Sequence, residues 1–326
     1  MSTDHWRRDI PQCLSIWDLE LSTLTEPALL HGSEGVVLSH DPQSGSTTYL
    51  AKVQPGWSRR ETAEEATIEI FLLEGDLTAA GKTVGSAGFA SLPQGLTGEV
   101  ELSSAGGFCA LVYWNPNMPT FPPPYVGVRV TRGWDEPARQ RTPGSLDQVY
   151  RSLRLPDFVG DGFNGGPGGM LRMSTLAPGM TSPYQHVHHE CWEEAVVLTG
   201  DVFLADRGLL GPGSYIAFPQ EFWHAVLATQ GGAQMIVHSN SPMGYPWVLR
   251  DYPLGQRMVD DYLDTMPLAR PVKHTPWAET HYPEWQKSPE FQAWLASDAA
   301  RPWASEEARG AASAYRSTWK KRGSGE

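Results

Sequence analysis

The sequence has 326 residues, and its formal net charge of −12 comes without any lysine- or arginine-rich stripe, which argues against a nucleic-acid surface. Its three cysteines, Cys13, Cys109 and Cys191, are too few and too scattered for a disulfide framework or a thiolate zinc knot. The N-terminus lacks the apolar core of a signal peptide and no apolar run approaches the length of a membrane span, so the expectation is a protein off the membrane, in a reducing, cytoplasmic setting.

With 40% hydrophobic residues, 33 Gly and 27 Pro, the chain suits a fold of short strands and many turns, and it is long enough for two domains. Residues 1–30 read as a lead-in with an edge strand. From Gly35 short apolar runs alternate with turns at 36–39, 47–53, 67–73, 88–92, 98–102 and 108–114, which predicts an all-β domain over 31–135. The stretch 115–125 holds five prolines and is no central strand. Ser145 heads a predicted linker helix, with Leu146, Val149, Tyr150 and Leu153 on one face and Pro156 as its stop. The six glycines of 160–169 lack the Lys-Ser/Thr of a phosphate loop. With that linker helix, 136–245 forms a second β domain.

Beyond it, 246–326 reads as a partly helical extension. Ser288-Pro289-Glu290 starts a helix with Phe291, Trp294 and Leu295 on its apolar face, and Ser305 caps another carrying Ala308, Ala312, Tyr315 and Trp319. Six of the 13 tryptophans fall after residue 245, which predicts that the extension packs on the β domains or on a second subunit.

The two β domains carry an internal repeat. Pro55-Gly56-Trp57 corresponds to Pro178-Gly179-Met180, the run from Glu69 to Asp76 to that from Glu194 to Asp201, and Gly88 to Gln94 to Ser214 to Gln220. The offsets are 123, 125 and 126.

The second copy holds a candidate ligand set. His186 and His188 are two apart, a spacing that places both imidazoles on one face of a strand. Glu193 opens the next apolar run, and a Gly-Pro turn with the strand over 214–218 delivers His224. Three imidazoles and one carboxylate can close around one divalent transition metal ion. Nitrogen-rich donors suit Fe(II), Mn(II), Ni(II), Cu(II) or Zn(II) better than Ca(II) or Mg(II). An octahedral ion keeps about two positions for substrate, or for substrate and dioxygen, whereas tetrahedral zinc would use all four ligands in a structural or regulatory role. In the first copy Ile68 stands for Glu193, Gly98 stands for His224, and 59–63 contains no histidine. That copy is expected to be a structural or dimerising partner without metal.

These residues resemble the paired motifs of the cupin superfamily, small jelly-roll β-barrels with a metal inside. The first motif is carried by Gly179, His186, His188, Glu193 and Gly200, the second by Gly213, Pro219 and His224. Two positions depart from the pattern: His186 lies one residue further from Gly179, and Glu221 replaces the glycine that usually follows the proline. The Glu193-Glu194 pair and its Val-Leu-x-Gly ending also resemble the cupin domains of zinc-binding anti-sigma factors. The resemblance implies two tandem jelly-roll barrels, the N-terminal one degenerate, with a C-terminal helical extension. It further implies one metal per chain, Fe(II) first with Zn, Mn, Ni or Cu as alternatives, and a homodimer.

Strand alternation that points Glu193 inward also points Ala195 and Val197 inward, and turns Glu194 away toward an inter-sheet ion pair. Tyr184 shares the parity of His186 and can reach a bound ligand. Arg172 is placed to hold a substrate carboxylate and His238 to relay a proton, both from strands expected to flank the barrel mouth. Cys191 reads as an exposed thiol. For this ligand set the resemblance implies first a non-haem dioxygenase acting on a small chelating or anionic molecule. Isomerisation, decarboxylation or hydrolysis at the same metal stays open, as does sensing without turnover. Oxygen uptake separates these readings.

Overall fold

The computed structural model describes residues 8–9, 11–116, 118, 126–140, 148–154, 169–182, 184–187, 191–224, 226–239 and 248–265. The helices expected after residue 288 lie outside the described residues. Among the described residues no helix is long and apolar enough to cross a membrane.

The first half contains β1 (Gln12–Ser15), β2 (Ser22–Thr23), β3 (Glu34–His40), β4 (Thr47–Val53), β5 (Trp57–Glu61) and β6 (Ala66–Gly75). It continues with β7 (Leu77–Ala79), β8 (Lys82–Val84), β9 (Gly88–Leu92), β10 (Val100–Ser104), β11 (Phe108–Pro116) and β12 (Arg129–Arg132). The second half contains β13 (Arg139–Gln140), β14 (Gln148–Ser152), β15 (Met170–Leu176), β16 (Thr181–Ser182), β17 (Tyr184–Val187) and β18 (Glu193–Gly200). It ends with β19 (Val202–Leu204), β20 (Gly208–Leu210), β21 (Ser214–Phe218), β22 (Leu227–Ala228), β23 (Ala233–Ser239), β24 (Val248–Asp251) and helix α1 (Pro253–Thr265).

Two seven-stranded sheets, β2-β3-β4-β11-β6-β9-β12 and β13-β14-β15-β23-β18-β21-β1, repeat one topology. A four-stranded sheet accompanies each: β5-β10-β7-β8 in the first half and β16-β22-β19-β20 in the second. Within each half the two sheets share a core. Ile68, Ile70 and Leu72 meet Leu77, Ala79 and Leu102 in the first, and Ala195, Val197 and Ile216 meet Val202, Leu204 and Leu210 in the second. One edge strand crosses over: β1, from the start of the chain, pairs with β21 of the second half, whereas the equivalent edge strand β12 pairs with β9 of its own half.

A third core lies between the seven-stranded sheets, where Leu50, Phe71, Phe89 and Leu111 meet Met173, Val196, Tyr215 and Ile236. Strands buried on both faces read as continuous apolar runs rather than as alternation, which is why β6 and β18 stand out in the sequence. Each fully buried Leu, Ile or Phe in such a core stabilises the fold by ~1.5–3 kcal/mol.

Two buried glutamates interrupt this third core at equivalent repeat positions. Glu69 accepts both arms of Arg154, at 2.8 and 2.7 Å. Glu194 takes hydrogen bonds from Arg8 (3.2 Å), Ser39 (2.6 Å), Thr48 (2.5 Å) and Tyr215 (2.6 Å). The inter-sheet ion pair expected for Glu194 is the one with Arg8. The shared Gly-Asp ending of β6 and β18 also has one cause. Asp76 accepts from the backbone N–H groups of Ala105 and Gly106, and Asp201 from those of Gln230 and Gly231. The preceding Gly75 and Gly200 have φ of +86° and +80°, and a Cβ on either would lie about 2 Å from a carbonyl oxygen.

One expectation is corrected. Gln148–Ser152 is a strand, not part of a linker helix, because it pairs along β15 and Leu153 enters the inter-sheet core. The extension expected from 246 begins with a strand before its helix. β24 pairs with β17, and α1, begun by Pro253, buries Val259 and Tyr262 against Ala205, Val226 and Ala228.

Candidate metal centre

His186, Glu193 and His224 come together: one donor atom from each lies within 4.8 Å of the other two. Three local features place them. β17 and the segment after β21 form an antiparallel bridge, His186 N–H to His224 O at 2.9 Å and His224 N–H to His186 O at 3.0 Å. Residues directly opposite in such a pair carry their side chains on one face, and the two imidazole centroids are 4.3 Å apart. Glu193 begins β18 opposite Phe218, and the Phe218 ring stacks on His224 at 4.1 Å.

The hydrogen bonds fix the tautomer of His224. Its Nδ1 lies 2.8 Å from Phe222 O, a carbonyl that can only accept, so Nδ1 carries the hydrogen. In the neutral ring Nε2 therefore presents its lone pair, and it lies 3.2 Å from Glu193 Oε2, itself an acceptor when ionised. Two acceptors at that distance call for a positive charge, a proton or a metal ion. A histidine whose other nitrogen is tied to a backbone carbonyl is the usual way to orient a metal ligand. The donor set therefore fits a divalent transition metal ion.

The cluster opens onto a cavity of about 90 Å³. Its walls are mostly apolar, with Leu176, Leu204, Ile216, Phe218, Met235 and Val237 among them. Ala195 lines it beside Glu193, as strand parity requires, and Val197 enters the apolar core of the same half. Arg172 lines the cavity from β15.

Other expected site residues lie elsewhere. His238 is turned away from the cavity, on the opposite face of β23 from Val237, and its Nδ1 bonds Glu194 at 2.6 Å between the sheets. It is not placed to relay a proton in the cavity. Burial pulls the His238 imidazole down to about 4, against the pull of the Glu194 carboxylate. Burial also raises Glu194, but Arg8, His238 and Ser39 outweigh it and hold the carboxyl well below the usual range. Cys191 is fully buried in the core of the second half, not exposed, because the chain packs inward just before β18. His188 and the side chain of Tyr184 lie outside the described residues.

Sequence reading missed Gln148 and Ser174, which also line the cavity. Ser174 was accessible to it, two residues from Arg172 on the same strand face. Gln148 was hidden by the predicted helix.

No family model and no curated protein sequence matches the chain. Solved structures do match. A candidate dioxygenase from Nostoc punctiforme aligns with a TM-score of 0.57 at 15% identity, covering 75% of this chain and 87% of that one. A candidate glyoxylate-induced protein from Pseudomonas aeruginosa aligns with a TM-score of 0.53 at 15% identity, over 72% and 90% of the two chains. The E. coli protein YlbA aligns with a TM-score of 0.50 at 15% identity, over 74% and 95%. At such identity the likeness speaks for the fold alone, a mostly β architecture with a C-terminal helix that is consistent with a cupin-type β-sandwich.

Proposed function

We propose that the protein is a metal-dependent cupin enzyme, a non-haem dioxygenase acting on a small chelating or anionic organic substrate. What supports this reading is the convergence of His186, Glu193 and His224 on one another at a mostly apolar cavity. His188, two residues from His186, is the proposed fourth ligand. A bound divalent transition metal, Fe(II) first, supplies Lewis-acid and one-electron chemistry. The chain does the rest. Two or three neutral imidazoles and a single carboxylate leave the site net positive, which favours an anionic ligand. Arg172 offers a planar fork of donors for a substrate carboxylate. The apolar walls limit the water that reaches the reacting atoms.

The test is elemental analysis of protein purified without a histidine tag, followed by an oxygen-electrode screen of small diketones, catechols and hydroxy acids. The expected result is about one transition metal per chain and oxygen consumption with one of these classes. Product without oxygen uptake would move the assignment to an isomerase, decarboxylase or hydrolase. Metal without turnover of any class would make the protein a sensor.

A further inference from the structure

The polar wall of the cavity lies across the sheet from the metal cluster. Gln148, Arg172 and Ser174 come from β14 and β15, whereas Glu193 is on β18, and the intervening β23 contributes apolar Met235 and Val237. The ladders fix their depth. Glu193 stands opposite Ser239, Arg172 opposite Val237, and Ser174 opposite Met235. Arg172 is thus one pleat step further in than Glu193, and Ser174 two. Exposure falls in the same order, 16%, 4% and 1%. Strand spacing puts the Cα atoms of Glu193 and Arg172 roughly 10 Å apart across the sheet and about 7 Å along it. That span is short enough for one small molecule to bridge between inward-pointing side chains.

Ser174 is the informative group. Its Oγ is buried and has no hydrogen-bond partner among the described residues, although buried hydroxyls almost always have one. The strand itself does not need the hydroxyl. Ala51 on β4 holds the same register position in the first half, opposite Ala110 as Ser174 is opposite Met235, and is buried as completely.

We propose that Ser174 contacts the substrate and selects a small acid with two polar ends. A 2-oxo or 2-hydroxy acid head occupies the His186, Glu193 and His224 site, and a second carboxylate accepts a hydrogen bond from Ser174 Oγ beside Arg172. The assignment rests on the metal-site reading above. The carbons joining the two ends of a four- or five-carbon diacid meet Met235 and Val237.

The test uses the metal-loaded full-length protein, titrated calorimetrically with a four-carbon 2-oxo diacid and with the matching 2-oxo monoacid. Wild type is expected to prefer the diacid. Ser174→Ala is expected to lose about tenfold of the diacid affinity while metal content and monoacid affinity stay unchanged. Its ligand-free melting temperature is expected to equal or exceed that of wild type, because a hydroxyl without a partner gives the fold nothing. Equal affinity of wild type for both acids, equal loss for both acids in the variant, or a lowered ligand-free melting temperature would each overturn the assignment to Ser174. Absence of metal from wild type would overturn the metal reading and this one together, and elemental analysis tells the two failures apart.

Discussion

The two halves use one ladder for two ends. Ile68 pairs with Leu92 on β9 as Glu193 pairs with Phe218 on β21, so a fully buried isoleucine holds the register position of the carboxylate. Ile70 stands for Ala195, Tyr49 for Arg172, and Ala51 for Ser174. The first half fills three of these positions with bulky side chains and the fourth with alanine, whereas the second carries small or polar groups at all four. Even a part-buried carboxylate such as Glu193 is costly unless a positive partner meets it, so the second half gives up packing for a site that needs a cation. What the halves keep in common is the face turned toward each other.

That shared face gives the largest expected effect. Arg154–Glu69 and Arg8–Glu194 are buried pairs with every partner at most 3% exposed. Breaking a buried pair leaves an uncompensated charge and costs ~3–5 kcal/mol. Glu194→Ala is expected at the upper end of that range, since it also strands Tyr215, Ser39 and Thr48, and Glu69→Ala at the lower. Urea denaturation measures both. A negligible effect of Glu69→Ala beside a large one of Glu194→Ala would break the equivalence of the two faces.

Glu193→Ile converts the second half toward the first. Loss of a ligand's outer partner already weakens metal binding 10–100-fold, so loss of the carboxylate itself is expected to exceed ~100-fold. Stability of the metal-free protein is expected to hold or rise. Elemental analysis and thermal denaturation check the two readouts, and metal retained at one per chain would remove Glu193 from the ligand set.

The pH dependence separates the halves again. His238 and Tyr113 hold equivalent positions on β23 and β11, with ring centroids 4.4 Å apart between the sheets. Only the histidine titrates in the acid range. Its pKa in the fold, about 4, lies below the ordinary 6.5, so the unfolded chain takes up a proton before the folded one does. Its contribution is therefore complete above pH 6.5 and is lost as pH falls toward about 4. Urea midpoints at pH 7.5 and 5 should differ in wild type, and the difference should shrink in His238→Asn. An unchanged difference would assign the acid sensitivity to other groups.

Much of this was legible in the sequence. The repeat offsets predicted the doubled topology, because strands buried on both faces leave long apolar runs that align by eye. The parity of Glu193 and Glu194 placed one at the cavity and the other between the sheets. The same parity, applied to Val237 and His238, would have removed His238 from the cavity. The crossover of β1 to β21 was not legible, since nothing local distinguishes an edge strand that pairs with its own half from one that pairs with the other. Gln148–Ser152 was misread because Ser145 and a 3–4 spacing of apolar residues mimic a helix, and the pairing with β15 that decides otherwise is non-local.

The smallest effect concerns one turn. After the proline that follows β9, Gly95 adopts φ +79°; the repeat puts Glu221 at the same place after β21, with φ +61°. A non-glycine residue in that region costs about 1–2 kcal/mol, and glycine gives back roughly half of that through its freer unfolded chain. Glu221→Gly is therefore expected to stabilise the protein by about 0.5–1 kcal/mol in thermal denaturation, and Gly95→Glu to destabilise it by a similar amount. Glu221 precedes His224 by three residues, yet the backbone bridge to His186 and the Nδ1 bond to Phe222 O hold the imidazole independently of that φ. Metal content of Glu221→Gly should therefore equal that of wild type; a drop would mean that the left-handed glutamate itself aims His224.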